Sequence, residues 1–178
     1  VQADGRIVAA GYGLARYQTD GRLDTSFNAG GVQPGILFLS GRPWNDVAIQ
    51  PDGKIVVGGR TYGTGNDSFL LQRFNADASP DSAFGTSGVV TTNFKKTATD
   101  EISAIALQPD GKIVAVGKIN DSWPGGAWGV ARYNPNGSLD ATFDRDGWLT
   151  TTFKPGNTGG TPMAVVVQSD GKIVVAGY

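Results

Sequence analysis

The chain has 178 residues, of which 39% are hydrophobic and 17% charged, and this balance is that of a folded domain and not of a disordered chain. The formal net charge is −1, and no basic cluster is longer than Lys95-Lys96, so nothing would neutralise a row of phosphates and nucleic acid is not an expected partner. No apolar run approaches the roughly 20 residues of a spanning helix, so membrane insertion is not expected either.

Two residue types are absent from the sequence. Without cysteine there is no disulfide or thiolate-bound metal, and without histidine there is no Ser-His or Cys-His catalytic pair. The 27 glycines and 9 prolines follow no three-residue period, which indicates many tight turns between short strands. We therefore expect an all-β protein that is not an enzyme and carries no cofactor.

A phrase of the form Gln-x-Asp-Gly-[Lys/Arg]-Ile-Val recurs along the chain, and such recurrence is typical of repeat architectures. It begins at Gln2, Gln50, Gln108 and Gln168. An Asp-Gly pair next to β-branched residues is typical of a hairpin turn. The resulting units cover residues 2–49, 50–107 and 108–167, with a partial unit at 168–178.

The third unit shows the elements of one repeat in chain order. Residues 102–108 predict a strand, Pro109-Asp-Gly supplies a turn, and residues 112–117 predict the returning strand. Two more strands are predicted at residues 128–133 and 148–153. Four short antiparallel strands in each unit indicate the blade of a β-propeller.

A second motif has fixed spacing in all three units. Each arginine is followed at +8 by aspartate and at +11 by phenylalanine: Arg16, Asp24 and Phe27; Arg73, Asp81 and Phe84; Arg132, Asp140 and Phe143. Because an active site generally needs a group once, a residue that recurs in every unit is more simply structural. We interpret each Arg/Asp pair as an ion pair within its blade and each phenylalanine as part of the core.

Two segments together carry a family resemblance. Residues 108–114, Gln-Pro-Asp-Gly-Lys-Ile-Val, and residues 131–143, Ala-Arg-Tyr-Asn-Pro-Asn-Gly-Ser-Leu-Asp-Ala-Thr-Phe, resemble the delta-60 repeat family of bacterial β-propeller-like proteins. The resemblance covers essentially the whole chain and implies the propeller architecture, but it brings no catalytic residues with it. The second unit departs from the pattern at Ala78, where the third has Gly137, which leaves the geometry of that turn open.

The strand order also bears on whether the propeller closes. The first predicted element, residues 6–10, and the last, residues 173–177, both correspond to the second strand of a blade. The chain thus holds two full blades, a first blade without its inner strand and a last blade without its two outer strands. Closed propellers typically have four to eight blades. We expect an incomplete ring that belongs to a longer chain or is completed by copies of itself in a homo-oligomer.

The loops on one face of the propeller vary between units and hold residues that the repeat does not dictate. Loops on a rigid scaffold commonly carry binding groups, and aromatic rings beside Asn and Asp suit contact with a glycan or a protein. The candidate ligand-binding residues are Trp44, Tyr62, Asn66, Asp67, Asn120, Asp121 and Trp123. The alternative is that Trp44 and Trp123 pack onto their own blades.

Three functions are compatible with these features. The favoured one is a noncatalytic binding or adhesion module of a bacterial secreted or cell-surface protein. The second is a structural repeat that assembles through open blade edges, and the third is an Asp-based polysaccharide hydrolase or lyase, disfavoured by the absence of histidine and by the single glutamate, Glu101.

Asp144 and Asp146, near Asp140, resemble a calcium loop without its distal glutamate, so we expect no metal site.

Overall fold

The computed structural model of the chain describes residues 1–39, 44–62, 67–94, 99–120, 126–153 and 160–178. These ranges contain β-strands and no helix, and so no helix that could cross a membrane. The strands are β1 (Ile7–Ala10), β2 (Gly13–Tyr17), β3 (Ile36–Phe38), β4 (Asp46–Ile49), β5 (Ile55–Arg60), β6 (Phe69–Phe74), β7 (Val89–Thr92), β8 (Thr99–Leu107), β9 (Ile113–Asn120), β10 (Ala127–Tyr133), β11 (Trp148–Thr151), β12 (Pro162–Val167) and β13 (Ile173–Gly177).

The strands form four antiparallel sheets, one for each repeat. The second and third sheets are complete, with the strand orders β4-β5-β6-β7 and β8-β9-β10-β11. The first sheet has the order β1-β2-β3 and the last is the pair β12-β13. The predicted all-β architecture of four-stranded antiparallel blades is confirmed, and the described sheets form an arc that does not close into a ring.

The inner strands place the sheets around a common centre. Strand β4 contacts β8, and β8 in turn contacts β12. Strand β1, the second strand of its unit, contacts β4. Each sheet therefore packs against the next one along the chain, as blades do in a propeller.

Alternation along the second strand of each blade explains how neighbouring blades pack, because successive side chains point to opposite faces. Val8 packs in one cluster with Ile55, Val56 packs with Ile113, and Val114 packs with Ile173. The valine of each Ile-Val pair thus faces the next blade, on what we call the forward face. The isoleucine lies on the backward face, towards the preceding blade.

The turn between the third and fourth strands keeps its geometry despite the substitution at Ala78. Ala78 has a φ of 79°, close to the 90° of the equivalent Gly137. The same backbone hydrogen bond closes both turns, from Asn75 N to Ser79 O and from Asn134 N to Ser138 O, each 2.8 Å long. Alanine adopts the left-handed conformation here at a steric cost that glycine would avoid.

The observed strands of the third blade differ modestly from the prediction. Strand β8 begins at Thr99 and β9 ends at Asn120, so this hairpin is longer than residues 102–117. A bulge between Ile102 and Ala104 lets the two strands stay paired out to Thr99 and Asn120. The fourth strand ends at Thr151, two residues before its predicted end.

Candidate functional site

The repeated Arg/Asp/Phe motif forms the same contacts in all three units. The arginine Nε donates to the aspartate Oδ2 at 2.7 Å in Arg16–Asp24, 2.8 Å in Arg73–Asp81 and 2.7 Å in Arg132–Asp140. The guanidinium carbon lies 4.8, 4.5 and 4.8 Å from the ring centroid of Phe27, Phe84 and Phe143, respectively. Each arginine is thus held by a carboxylate along its edge and by an aromatic ring on its face.

The same arginines also reach the following unit. Arg16 Nη1 donates to the carbonyl oxygen of Ala76 at 2.6 Å, and Arg73 Nη1 donates to that of Pro135 at 2.6 Å. Both carbonyls belong to the turn between the third and fourth strands of the next blade.

A backbone bond accompanies each of these contacts. Asn28 N donates to Asp77 O at 3.1 Å, and Gly85 N donates to Asn136 O at 2.9 Å. We call the arginine, its aspartate, the amide after the phenylalanine and the bound turn the inter-unit latch. In the first two units these arginines are therefore bonded both within their own blade and to the next one.

Hydrogen bonds keep the carboxylates of the latch ionised. The Ser26 hydroxyl and amide, together with Arg16, hold the pKa of Asp24 below its usual range, against the opposing effect of burial. Thr142 and Arg132 do the same for the pKa of Asp140. Burial raises the pKa of Asp81, but the Ala83 amide and the charges of Arg73 and Lys54 outweigh it. These carboxyl groups are therefore poor candidates for a general acid.

A different group of side chains meets on the variable-loop face between the second and third blades. Arg60 ends β5, Asp67 lies just before β6, and Asn45 lies just before β4. Glu101 lies near the start of β8, and Tyr62 follows β5 by two residues. All five are at the blade ends opposite the Asp-Gly turns, and we call them the loop-face cluster.

Arg60 is at the centre of the loop-face cluster. Its Nη1 lies 3.7 Å from Asp67 Oδ2 and 4.0 Å from Glu101 Oε2. Asn45 Nδ2 donates to Glu101 Oε1 at 2.8 Å and to the Ile102 carbonyl at 2.8 Å. The guanidinium carbon lies 5.2 Å from the ring centroid of Tyr62, which remains 59% exposed.

The arrangement combines an exposed ring with fixed polar groups. The guanidinium occupies one side of the Tyr62 ring, and the exposed part of the ring offers apolar area to a ligand. The five residues of the cluster supply one guanidinium and two carboxylates. Such a surface suits a ligand with hydroxyl groups that donate to carboxylates and with an apolar patch that covers the ring.

The structure places the predicted ligand residues differently from one another. Tyr62 and Asp67 belong to the loop-face cluster, whereas Trp44 is only 5% exposed and packs in the core between the first and second blades. The Trp44 ring is therefore not available to stack on a ligand. Asn120 ends β9, and its side chain is outside the described part of the structure, as are Asn66, Asp121 and Trp123.

Three residues of the cluster were missed from the sequence. Arg60 is the last residue of β5 and Asn45 directly follows Trp44, and neither belongs to a repeated motif. Glu101 carried the clearest signal, since it is the only glutamate in the chain. What the sequence did not reveal is that residues 45 and 101, 56 positions apart, are hydrogen-bonded.

Two aspartates of the segment that resembles a calcium loop are bonded to protein groups. Asp140 is part of a latch, and Asp146 Oδ1 accepts a hydrogen bond from Trp148 N at 3.3 Å. Among the described residues, no three Asp or Glu side chains are grouped as metal ligands.

Comparison with known families agrees with the repeat. A family model described as "Domain of unknown function (DUF5122) beta-propeller" matches residues 2–27, 50–84, 108–143 and 168–178, which is more than half of the chain. Each match begins at the glutamine of the repeated phrase, and the first three end at the phenylalanine of a latch. No curated protein matches the chain.

Proposed function

Because the chain belongs to this β-propeller family of unknown function, we propose that it is a noncatalytic binding module that holds a glycan at the loop-face cluster. The observation that carries the proposal is the exposed ring of Tyr62 beside Arg60, Asp67, Glu101 and Asn45. The scaffold beneath these residues is a pair of complete four-stranded blades. Such a base holds side chains at strand ends more firmly than an isolated loop does.

A sugar matches the chemistry of the cluster in two ways. The C–H face of a pyranose ring covers the exposed part of Tyr62, and its hydroxyl groups donate to the oxygens of Glu101. Asn45 Nδ2 and Arg60 fix the position of the Glu101 carboxylate, so its direction is set before a ligand binds.

Charge favours one class of glycan. The Glu101 carboxylate, whose side chain is 34% exposed, opposes a sulfate or uronic-acid group and accepts from the hydroxyl or ammonium groups of neutral or amino sugars. We therefore propose a neutral or amino-sugar glycan, and not an acidic one, as the ligand.

The same geometry argues against hydrolysis. In a glycosidase the two carboxyl groups stand on either side of the bond that is cleaved. Here the Arg60 guanidinium lies between Asp67 and Glu101, with its Nη1 within 4.0 Å of both carboxylates. A cation held in that position suits binding better than cleavage.

The repeat phrases support a location for this activity. They resemble those of delta-60 repeat proteins of bacteria, and a glycan-binding propeller suits a secreted or surface-exposed adhesion protein. We propose that location for the chain, and fractionation of cells that produce it, with detection in the outer or secreted fraction, would check the proposal.

A glycan array tests the ligand class directly. We expect the native chain to bind neutral or amino-sugar glycans, Tyr62→Ala to lose at least about ten-fold in affinity, roughly 1.4 kcal/mol, and Tyr62→Phe to lose little. Tyr12→Ala is the matched control, since Tyr12 is an exposed tyrosine, 75% accessible, outside the cluster. Absence of binding to any glycan, or binding that Tyr62→Ala and Glu101→Gln both leave unchanged, would overturn the proposal.

A further inference from the structure

Asn136 lies in the turn of the third blade that the latch of the second unit binds. We propose that Asn136 is a site of spontaneous deamidation, that the closed latch suppresses this reaction, and that the isoaspartyl product prevents the latch from closing again. The reaction needs water and no enzyme. It alters the contact between the second and third blades, which carry the loop-face cluster.

The sequence at this position favours deamidation. Asn136-Gly137 is the only Asn-Gly dipeptide in the chain, and Asn136 is exposed to water. Deamidation begins when the backbone nitrogen of the next residue attacks the carbon of the side-chain amide. Glycine hinders this approach least, because it has no side chain. The first and second units carry aspartate at the equivalent positions, Asp20 and Asp77, so of the three units only the third has an amide there.

Each step of the reaction conserves atoms and electrons. The Gly137 nitrogen forms a bond with Cγ of Asn136, and the bond from Cγ to Nδ2 breaks. Nδ2 leaves as ammonia with the proton that the Gly137 nitrogen gives up, and a cyclic imide remains. Water then adds to one of the two ring carbonyl carbons. Addition at Cγ gives aspartate, and addition at the backbone carbonyl carbon gives isoaspartate, in which the chain runs through Cβ and Cγ.

The closed turn holds both reacting groups in other bonds. The Gly137 nitrogen donates to the Asn134 carbonyl oxygen at 2.9 Å, and Gly137 is buried. Asn136 Oδ1 accepts from Ser138 N at 3.0 Å and from Ser138 Oγ at 2.8 Å. Ring closure has to break these bonds, because the nitrogen and the side-chain amide must turn towards each other. The reaction therefore proceeds from molecules in which the turn has opened.

Opening of the turn also opens the latch. Pro135 O accepts from Arg73 Nη1 at 2.6 Å, and Asn136 O accepts from Gly85 N at 2.9 Å. The carbonyl carbon of Asn136 becomes a member of the imide ring, so its peptide group must rotate and release Gly85. The population of molecules with an open latch thus sets the rate of deamidation at Asn136.

The aspartate product leaves the latch able to close. Asp77, in the same position of the second unit, accepts from Ser79 N at 2.9 Å and from Ser79 Oγ at 2.6 Å. Its carbonyl oxygen takes part in a closed latch, with Asn28 N at 3.1 Å. The Ser79 hydroxyl and amide lower the pKa of Asp77, so this position accommodates a carboxylate. A carboxylate at position 136 has Ser138 for the same two bonds.

Isoaspartate adds a carbon to the backbone, and the turn has no room for it. The hydrogen bond from Asn134 N to Ser138 O, 2.8 Å long, closes a turn of fixed length. Gly137 packs so closely that a Cβ there would lie 2.7 Å from Val90 Cγ2. A lengthened backbone therefore displaces the carbonyl groups that the latch binds, and the third blade loses this contact with the second.

The rate of deamidation tests whether the latch controls it. Peptide mapping by mass spectrometry follows the replacement of the Asn136 amide by hydroxyl during incubation at mildly alkaline pH. We expect the folded native chain to react at least about ten-fold more slowly than the same chain in urea, and folded Arg73→Lys to react faster than the folded native chain. Arg22→Ala and Gly117→Ala are controls that should react at the native rate, because both positions lie outside this latch. Circular dichroism checks that each variant is folded.

The products test whether isoaspartate keeps the latch open. Chromatography separates the aspartyl and isoaspartyl chains from the native chain, and amide hydrogen exchange then reports on Gly85 N. Asn136→Asp should keep the slow exchange of Gly85, whereas the isoaspartyl chain should exchange this amide at least about ten-fold faster. No deamidation of Asn136 in urea, equal rates in the folded and unfolded native chain, a native rate in Arg73→Lys, or slow Gly85 exchange in the isoaspartyl chain would each contradict the proposal.

Discussion

Arg73 and Pro135 lie 62 positions apart in the chain, yet the arginine Nη1 is 2.6 Å from the proline carbonyl oxygen. Arg73 Nε is at the same time bonded to Asp81 in its own blade, 2.8 Å away. One planar guanidinium thus connects two blades, because its donors point in fixed and different directions. A motif of local appearance in the sequence is in fact a contact between repeats.

Removal of this guanidinium should destabilise the protein strongly. Arg73 is 5% exposed and Asp81 6% exposed, so Arg73→Ala leaves a buried carboxylate without its main partner and should cost about 3–5 kcal/mol. Arg73→Lys keeps the charge but cannot donate to both Asp81 and Pro135, and its cost should be intermediate. Urea unfolding of the native chain, Arg73→Ala and Arg73→Lys gives the free energy of unfolding of each.

Arg22 provides the control for that experiment. It also forms an ion pair with an aspartate, Asp20, but its side chain is 86% exposed. Arg22→Ala should change the free energy of unfolding by less than about 0.5 kcal/mol. Equal losses of unfolding free energy in Arg73→Ala and Arg22→Ala would show that the latch contributes no more to stability than an exposed ion pair does.

A hydroxyl group is missing from the second latch, and its addition should stabilise the protein. Ser26 Oγ donates to Asp24 at 2.6 Å and Thr142 Oγ1 donates to Asp140 at 2.7 Å, whereas Asp81 has Ala83 at the same position. Ala83→Ser supplies this bond and should add about 0.5–1.5 kcal/mol to the free energy of unfolding. Thr142→Ala should remove a similar amount, and the reverse order of stabilities would refute this role for the hydroxyl.

Acid should weaken the fold through the latch aspartates. The pKa values of Asp24, Asp81 and Asp140 are lowered in the folded protein, so the unfolded chain binds more protons and stability rises with pH. The stabilisation is complete above the unfolded pKa, about 3.8, and is lost as the pH falls towards the lower folded values. Urea midpoints measured between neutral pH and about pH 3 should fall steeply at the acid end. A urea midpoint that does not change over this pH range would contradict the lowered pKa values of the latch aspartates.

One glycine lies close to the loop-face cluster. A Cβ at Gly117 would come within 2.8 Å of the Ile102 Cα and would also collide with the Glu101 backbone, whereas a Cβ at Gly11 has no atom within 4 Å. Gly117→Ala should therefore cost about 1–3 kcal/mol, displace Glu101 and weaken glycan binding, while Gly11→Ala should do neither. Thermal unfolding and glycan titration of the two variants give the comparison.

Much of the fold follows from short-range patterns. The Asp-Gly hairpins and the Arg/Asp/Phe spacing are read directly from the chain because each depends on residues close in sequence. Contacts between residues far apart in the sequence could not be predicted in this way. Trp44 looked like a loop aromatic, but its amide donates to Gly11 O at 2.8 Å and its ring is buried between two blades. Arg60 and Glu101 belong to adjacent blades, so only the packing of β5 on β8 brings them together.

Amide hydrogen exchange tests the inter-unit latch most directly. Asn28 N and Gly85 N are bonded to the next blade, whereas Asp144 N, the equivalent amide, has no such acceptor among the described residues. NMR of the native chain should show slow exchange at Asn28 and Gly85 and fast exchange at Asp144. Exchange at Asn28 and Gly85 that is as fast as at Asp144 would contradict a latch between the blades.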